Sequence, residues 1–120
     1  MKYAAIDIGS NASRLLLSNV VEESGETHFK KAVSLGSRNP RLYYNYGLFT
    51  QQAGKMEESI LLFRKGLVFN PNDPELNYVL ALAYMQKGQF AQAFGPASVL
   101  KRIDPGNPNY QDLFNKLKIP

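Results

Sequence analysis

Residues 40–73, "PRLYYNYGLFTQQAGKMEESILLFRKGLVFNPND", decide the fold, because the chain then repeats their pattern. Shifted by 34 residues they fall on residues 74–107, "PELNYVLALAYMQKGQFAQAFGPASVLKRIDPGN". Pro40 falls on Pro74 and then Pro108, Pro71 on Pro105, and Gly54 on Gly88. Asn39, Asp73 and Asn107 each precede a proline, Gly47 falls on Ala81, and Ser59 on Ala93. A fixed period of this kind marks a chain built from stacked copies of one supersecondary unit.

Within each copy the apolar spacing is helical. Tyr43, Tyr46, Gly47 and Thr50 recur at i, i+3, i+4 and i+7, and Ile60, Phe63 and Leu67 mark one face of the next segment. Gly47, Ser59, Gly66, Ala81 and Ala93 are small where two antiparallel helices would cross. Gly54-Lys55 and Gly88-Gln89 suit a tight turn in which glycine ends the first helix in a left-handed cap. Asn-Pro and Asp-Pro steps stop each second helix and start the next. The spacing predicts helices over 41–53, 57–69, 75–87, 91–103 and 109–118.

The period and its small residues resemble the tetratricopeptide repeat (TPR). Residues 40–73 look like one nearly complete unit and 74–107 like a second. Residues 108–120, "PNYQDLFNKLKIP", resemble the first helix of a third, a C-terminal cap with Lys116 and Lys118 outward. The resemblance implies a mainly α protein, a TPR α-solenoid of about two and a half repeats.

One stretch departs from the pattern. "AFGPASVL" places Gly95 and Pro96 inside the fourth predicted helix. Proline removes one backbone hydrogen bond there at a cost of about 3 kcal/mol. Ala93, Ala97 and Leu100 keep the repeat spacing on either side, so a kink near residues 92–96 is expected rather than loss of the helix.

Tyr43, Tyr46, Phe63, Phe69, Tyr84 and Phe90 are at core-facing repeat positions and read as packing residues. Other residues are not needed by the core. In TPR units the first helix of each pair lines a concave groove through its second, fifth, ninth, twelfth and thirteenth positions. Here the resemblance gives Arg41, Tyr44, Leu48, Gln51 and Gln52, then Glu75, Tyr78, Leu82, Met85 and Gln86. Tyr44, Tyr78, Leu48, Leu82 and Met85 would form an apolar, adaptable strip of the sort that takes a protein or peptide partner. The Lys/Asn pattern of TPR domains that clamp a peptide's C-terminal carboxylate is missing.

The N-terminal residues read differently. Tyr3–Ile8 alternates weakly, Gly9-Ser10-Asn11 is a turn signal, and Arg14–Val21 is a strand-like apolar run. Glu23-Ser24-Gly25-Glu26 is a second turn, and residues 27–35 fit either a third strand or a helix. β-Propensity favours strand for 3–21, although "NASRLLLSNVVEE" also fits a helix. "AAIDIGSN" followed by "SRLLLSNVV" resembles the start of the exopolyphosphatase and guanosine pentaphosphate phosphatase family. That resemblance implies that Asp7 lies near a metal and that Gly9, Ser10 and Asn11 offer amides to phosphate. The family also needs a second phosphate loop, a catalytic carboxylate and a second lobe, and none fits between residue 36 and the first repeat. A single Asp and one turn cannot both hold a metal and activate water.

Composition sets the outer bounds. The chain has 120 residues, net charge +4 and no cysteine, so disulfides and thiolate metal sites are excluded. Its 14 Lys and Arg residues are scattered, which argues against a nucleic-acid partner. No apolar run approaches the roughly 18 residues of a membrane span, and Asp7 interrupts the place of a signal peptide's apolar core. We therefore expect a cytoplasmic protein with no membrane partner.

We expect a chain of two parts. Residues 1–35 form an N-terminal appendage, a β-hairpin or meander or a capping helix, on a chimeric or fused start. Residues 36–120 form the TPR domain. The chain is a non-catalytic scaffold with no cofactor and no metal, binding a peptide or helix through Arg41, Tyr44, Leu48, Gln51, Tyr78, Leu82, Met85 and Gln86. The alternative is a phosphate-binding remnant of an exopolyphosphatase-like enzyme, using Asp7, Gly9, Ser10 and Asn11. Unpaired strand edges in the appendage would recruit either the TPR helices or a second chain, and the second of these would give a homo-oligomer.

Overall fold

Asn39, Asp73 and Asn107 each open a helical segment, and each does so by the same chemistry. In the computed structural model, which describes residues 25–120, their side-chain oxygens accept from Arg41 N at 3.0 Å, Leu76 N at 3.0 Å and Asn109 N at 2.8 Å. Each is followed by proline at the first helical position, where a missing N–H costs nothing.

The chain divides between Ser37 and Arg38. In the first unit a helix, α1, occupies residues 25–34. The open alternative for 27–35 therefore resolves as helix, not as the third strand of a meander. Glu26 and Lys30 pair at i, i+4 over 3.3 Å, and Phe29, Ala32 and Val33 share a half-buried face. Gly36, at φ 80°, closes the helix, with its N–H on Val33 O and that of Ser37 on Ala32 O. No strand occurs among the described residues. The hairpin expected over 3–21, and its helical alternative, lie outside them.

The second unit holds five helices: α2 (Pro40–Gln52), α3 (Met56–Phe69), α4 (Pro74–Gln86), α5 (Phe90–Ile103) and, after a 3₁₀ turn at Pro108–Tyr110, α6 (Gln111–Leu117). α2 packs on α3 and α4 on α5 as helix pairs, and α3 contacts α4 where the pairs stack. Gly54 and Gly88, at φ 83° and 75°, end the first helix of each pair. In each case the following N–H reaches back to Thr50 O at 2.9 Å or Tyr84 O at 2.8 Å.

The small residues are where the helices meet. Gly47, Ser59, Gly66, Ala81 and Ala93 are all buried. A Cβ on Gly47 would run into the Phe63 ring, and one on Gly66 would lie 2.9 Å from the Tyr43 Cβ. Two apolar clusters result. Ile60, Phe63, Leu76, Leu80, Ala83, Tyr84 and Ala93 fill the first, and Ala81, Ala97, Leu100, Leu113 and Phe114 the second.

Asn77, buried in α4, donates to Pro71 O and Asp73 O, and Gln111 repeats this 34 residues later on Pro105 O and Asn107 O. These amides tie each first helix to the loop before it. Among the described residues no buried side-chain polar atom lacks a partner.

Two expectations need correction. Phe90 is not a core residue but is 53% exposed. It is the first residue of α5, and a side chain there leans back past the helix end, where no preceding turn of its own helix lies beneath it. The third first-helix is also shorter than 109–118, because Pro108–Tyr110 takes 3₁₀ geometry and Lys118 turns left-handed at φ 55°. α5 runs through Pro96 from Phe90 to Ile103, so the fourth helix persists.

Candidate functional site

The eight residues assigned to a partner divide between two helices. Arg41, Tyr44, Leu48 and Gln51 are on α2, and Tyr78, Leu82, Met85 and Gln86 are on α4. Steps of three and four place Arg41, Tyr44, Leu48 and Gln51 along one side of α2 and Tyr78, Leu82 and Met85 along one side of α4, with Gln86 at the edge beside Met85. Tyr44, Leu48, Gln51, Tyr78, Leu82 and Met85 are half-buried. Arg41 and Gln86 are exposed, as are Gln52 and Glu75.

The two helices are joined at their N-terminal ends. Arg41 donates through both terminal nitrogens to the two Glu75 carboxylate oxygens, at 3.1 and 3.0 Å. Its guanidinium also lies 5.1 Å from the centre of the Tyr44 ring. Arg41 is thus occupied within the unit, and its charge is matched. The pair is about half exposed, so it contributes roughly 0.2–1 kcal/mol.

The apolar residues form two linked sets. Tyr44 and Leu48 pack against the first cluster, Tyr78 and Leu82 against the second, and Met85 against both. An unbranched thioether fits this bridging place, since it follows irregular gaps. Gln51 turns to its own repeat, its amide nitrogen 3.8 Å from Met56 Sδ.

Part of the site comes from residues that sequence reasoning did not assign to it. The Tyr110 ring lies 5.2 Å from Tyr78 and 6.2 Å from Phe114. Leu117 and Ile119 pack with Tyr78, Leu82 and Met85 on the second cluster. The signal was present in the register, because Tyr110 stands two places after Pro108 as Leu76 stands two places after Pro74.

Burial pushes the Tyr110 hydroxyl above the usual phenol range, and Asp104, Tyr78 and Glu75 push it the same way. Charge on the rest of this surface is matched locally, as Asp112 pairs with Lys116 at 3.1 Å. The surface therefore suits apolar contact more than ionic capture.

The alternative site, Asp7, Gly9, Ser10 and Asn11, lies outside the described residues. Among the described residues no group of three His, Cys, Asp or Glu could hold a metal ion. No helix among them is long and apolar enough to cross a membrane.

Comparison with known proteins agrees with this architecture. Two tetratricopeptide repeat models match the sequence, one over residues 40–73 and one over 62–94. They support a TPR protein. No curated protein matches the chain in sequence.

Among solved structures, the chain resembles the Yersinia enterocolitica type III secretion translocator chaperone SycD, at TM-score 0.65 and 19% identity, over 85% of this chain and 70% of that one. The complex of SycD with a peptide of the translocator YopD matches at TM-score 0.66 and 19% identity, over 92% and 90%. SycD in an alternative dimer matches at TM-score 0.64 and 19% identity, over 85% and 77%. At this identity the likeness is one of fold.

Proposed function

We propose that the chain is a non-catalytic protein-interaction module that binds a peptide or helix of a partner protein along α2 and α4. The observation that carries this reading is the set Tyr44, Leu48, Tyr78, Leu82 and Met85, five half-buried apolar side chains on the first helices of successive repeats. With Arg41 held by Glu75, apolar contact is what this surface has to offer. The SycD complex supports the reading by analogy, since that chaperone of similar fold takes a translocator peptide.

Arg41, Gln51 and Gln86 are proposed as rim residues. Leu48 and Leu82 are proposed as the apolar floor. A partner segment would present apolar residues at helical spacing, in the manner of a helix laid into a groove.

The test is selection of apolar-rich peptides from a displayed library, followed by affinity measurement on the chain and on Leu48→Glu and Leu82→Glu. Each buried carboxylate should weaken binding by about tenfold or more, a change of 1.4 kcal/mol. Circular dichroism checks that the variants remain helical. Selected peptides that bind both folded variants as tightly as the parent would end the reading.

Self-association through residues 3–35 is a separate proposal, and the dimeric form of SycD gives it its only analogy. Light scattering on the whole chain decides it, with a monomer at all concentrations counting against it.

A further inference from the structure

The Gly95-Pro96 step does not serve the repeat. Pro96 stands where Leu62 stands one unit earlier, Gly95 where Leu61 stands, and Gln92 where Glu58 stands. Pro96 has no N–H to give the Gln92 carbonyl, which costs α5 one hydrogen bond. A Cβ on Gly95 would meet nothing within 4 Å. The irregularity removes bulk from α5, and beside Pro96 lies a recess.

That recess has a volume of about 470 Å³, within the ~300–1,000 Å³ range of small-ligand sites. Its floor is Leu80 and Tyr84, on a different face of α4 from Tyr78 and Leu82. One wall is Arg64, Leu67 and Val68 of α3, and the other is Gln92 and Pro96 of α5. Val68 is 73% exposed on one side, and Phe94 is 44% exposed on the helix opposite. The recess is thus apolar, open and separate from the strip on α2 and α4.

Its charge is one-sided. Among the described residues, Arg64 is the one charged residue of the lining; α3 and α5 also carry Lys65, Lys101 and Arg102, and their carboxylates, Glu57 and Glu58, are confined to the first turn of α3. Three of these cations are occupied. Lys65 lies over the Tyr43 ring and Lys101 over the Phe114 ring, while Arg102 donates to Asn72. Arg64, on the recess wall, has no ion-pair or hydrogen-bond partner among the described residues. A guanidinium with all its donors open, beside aliphatic side chains, is complementary to a carboxylate next to an aliphatic group.

We infer that this outer recess is a second interaction site, and that it takes an acidic peptide segment presenting one large aliphatic side chain. The aliphatic group sits over Leu80 between Val68 and Pro96, and the carboxylate pairs with Arg64. The site is independent of the proposed groove, because it shares no side chain with it.

The test uses the whole ¹⁵N-labelled chain and two synthetic probes, acetyl-Glu-Leu-Leu-Glu-amide and its charge-reversed partner acetyl-Lys-Leu-Leu-Lys-amide. The acidic probe should give saturable shifts at the Arg64 side-chain Nε–H and at the Val68, Gln92 and Gly95 amides. The basic probe should give none there. Arg64→Gln should bind the acidic probe about fivefold more weakly, the scale of an exposed charge pair.

Pro96→Leu should bury the recess under a side chain and restore the N–H toward Gln92. It should therefore raise the Tm while abolishing the shifts. Equal shifts with both probes, undiminished binding by Arg64→Gln or by Pro96→Leu, or shifts confined to α2 and α4 would overturn the proposal. So would concentration-dependent shifts at Arg64 and Val68 without any probe, since the occupant would then be a second copy of the chain.

Discussion

Arg41 and Glu75 stand 34 residues apart in sequence and 3.0 Å apart in space. One repeat length thus brings two equivalent positions into a two-pronged ion pair, which ties the N-terminal ends of successive first helices. A double-mutant cycle with Arg41→Ala and Glu75→Ala should show a coupling of roughly 0.5–1 kcal/mol at low salt, falling at 1 M salt. Denaturant melts measure it. Additive single effects would mean that the pair carries no energetic weight in solution.

Two Gly→Ala substitutions should have opposite signs. At Gly47 the added methyl meets the Phe63 ring, and overpacking of about 1–3 kcal/mol outweighs the ~1 kcal/mol gain in helix preference. At Gly106 nothing lies within 4 Å, and the backbone is outside the left-handed region. Alanine there restricts the unfolded chain and should stabilise by about 0.4–1 kcal/mol. Thermal melts of the two variants decide the point, and a stabilised Gly47→Ala would show that α2 and α3 pack more loosely than described.

Tyr110 gives stability an alkaline limit. Its hydroxyl titrates higher in the folded chain than the ordinary phenol value of about 10. The contribution is therefore fully present below the unfolded value and is lost as pH rises through the folded one. Melts between neutral pH and pH 11 should show the loss, and Tyr110→Phe should flatten it. A variant with the same alkaline slope would place the titrating group elsewhere.

The repeat was legible in sequence because its markers act locally. Asn39-Pro40 and Asp73-Pro74 cap and start helices through atoms within three residues, and Gly54 and Gly88 end helices by a φ that other residues resist. The buried face was legible too, since Gly47, Ser59, Ala81 and Ala93 are small only where backbones cross. The exposed Phe90 was not, because an end-of-helix position follows the same spacing as a core position. For residues 27–35 the short apolar run fits both periods, and the deciding features were the Glu26–Lys30 pair and the Gly36 closure. At the candidate site, the strip on α2 and α4 came from the repeat register. The Arg41–Glu75 pair and the approach of Tyr110 to Tyr78 depend on how repeats stack, and side-chain reach cannot be read from periodicity. The recess was hidden for a related reason: Gly95-Pro96 announces a disturbed helix, but not the space beside it.

The resemblance of residues 1–33 to a phosphatase start leads to an expectation of its own. Phosphoryl transfer needs a metal, several donors and a positioned nucleophile. Asp7 with one Gly-Ser-Asn turn supplies too few of them. Phosphate-release assays with polyphosphate and guanosine pentaphosphate should give no turnover above background, for the chain or for Asp7→Ala. Turnover that the substitution abolishes would make the N-terminal residues the functional centre.

Partner segments bound along α2 and α4, as proposed, would lie against the methyl groups of that strip. Intermolecular NOEs between a selected peptide and the chain's methyl groups test this most directly, with Leu, Val and Met methyls labelled. Contacts from the peptide to Leu48, Leu82 and Met85 are expected. Contacts confined to Leu61 and Val68 on α3, with none to those three residues, would contradict it.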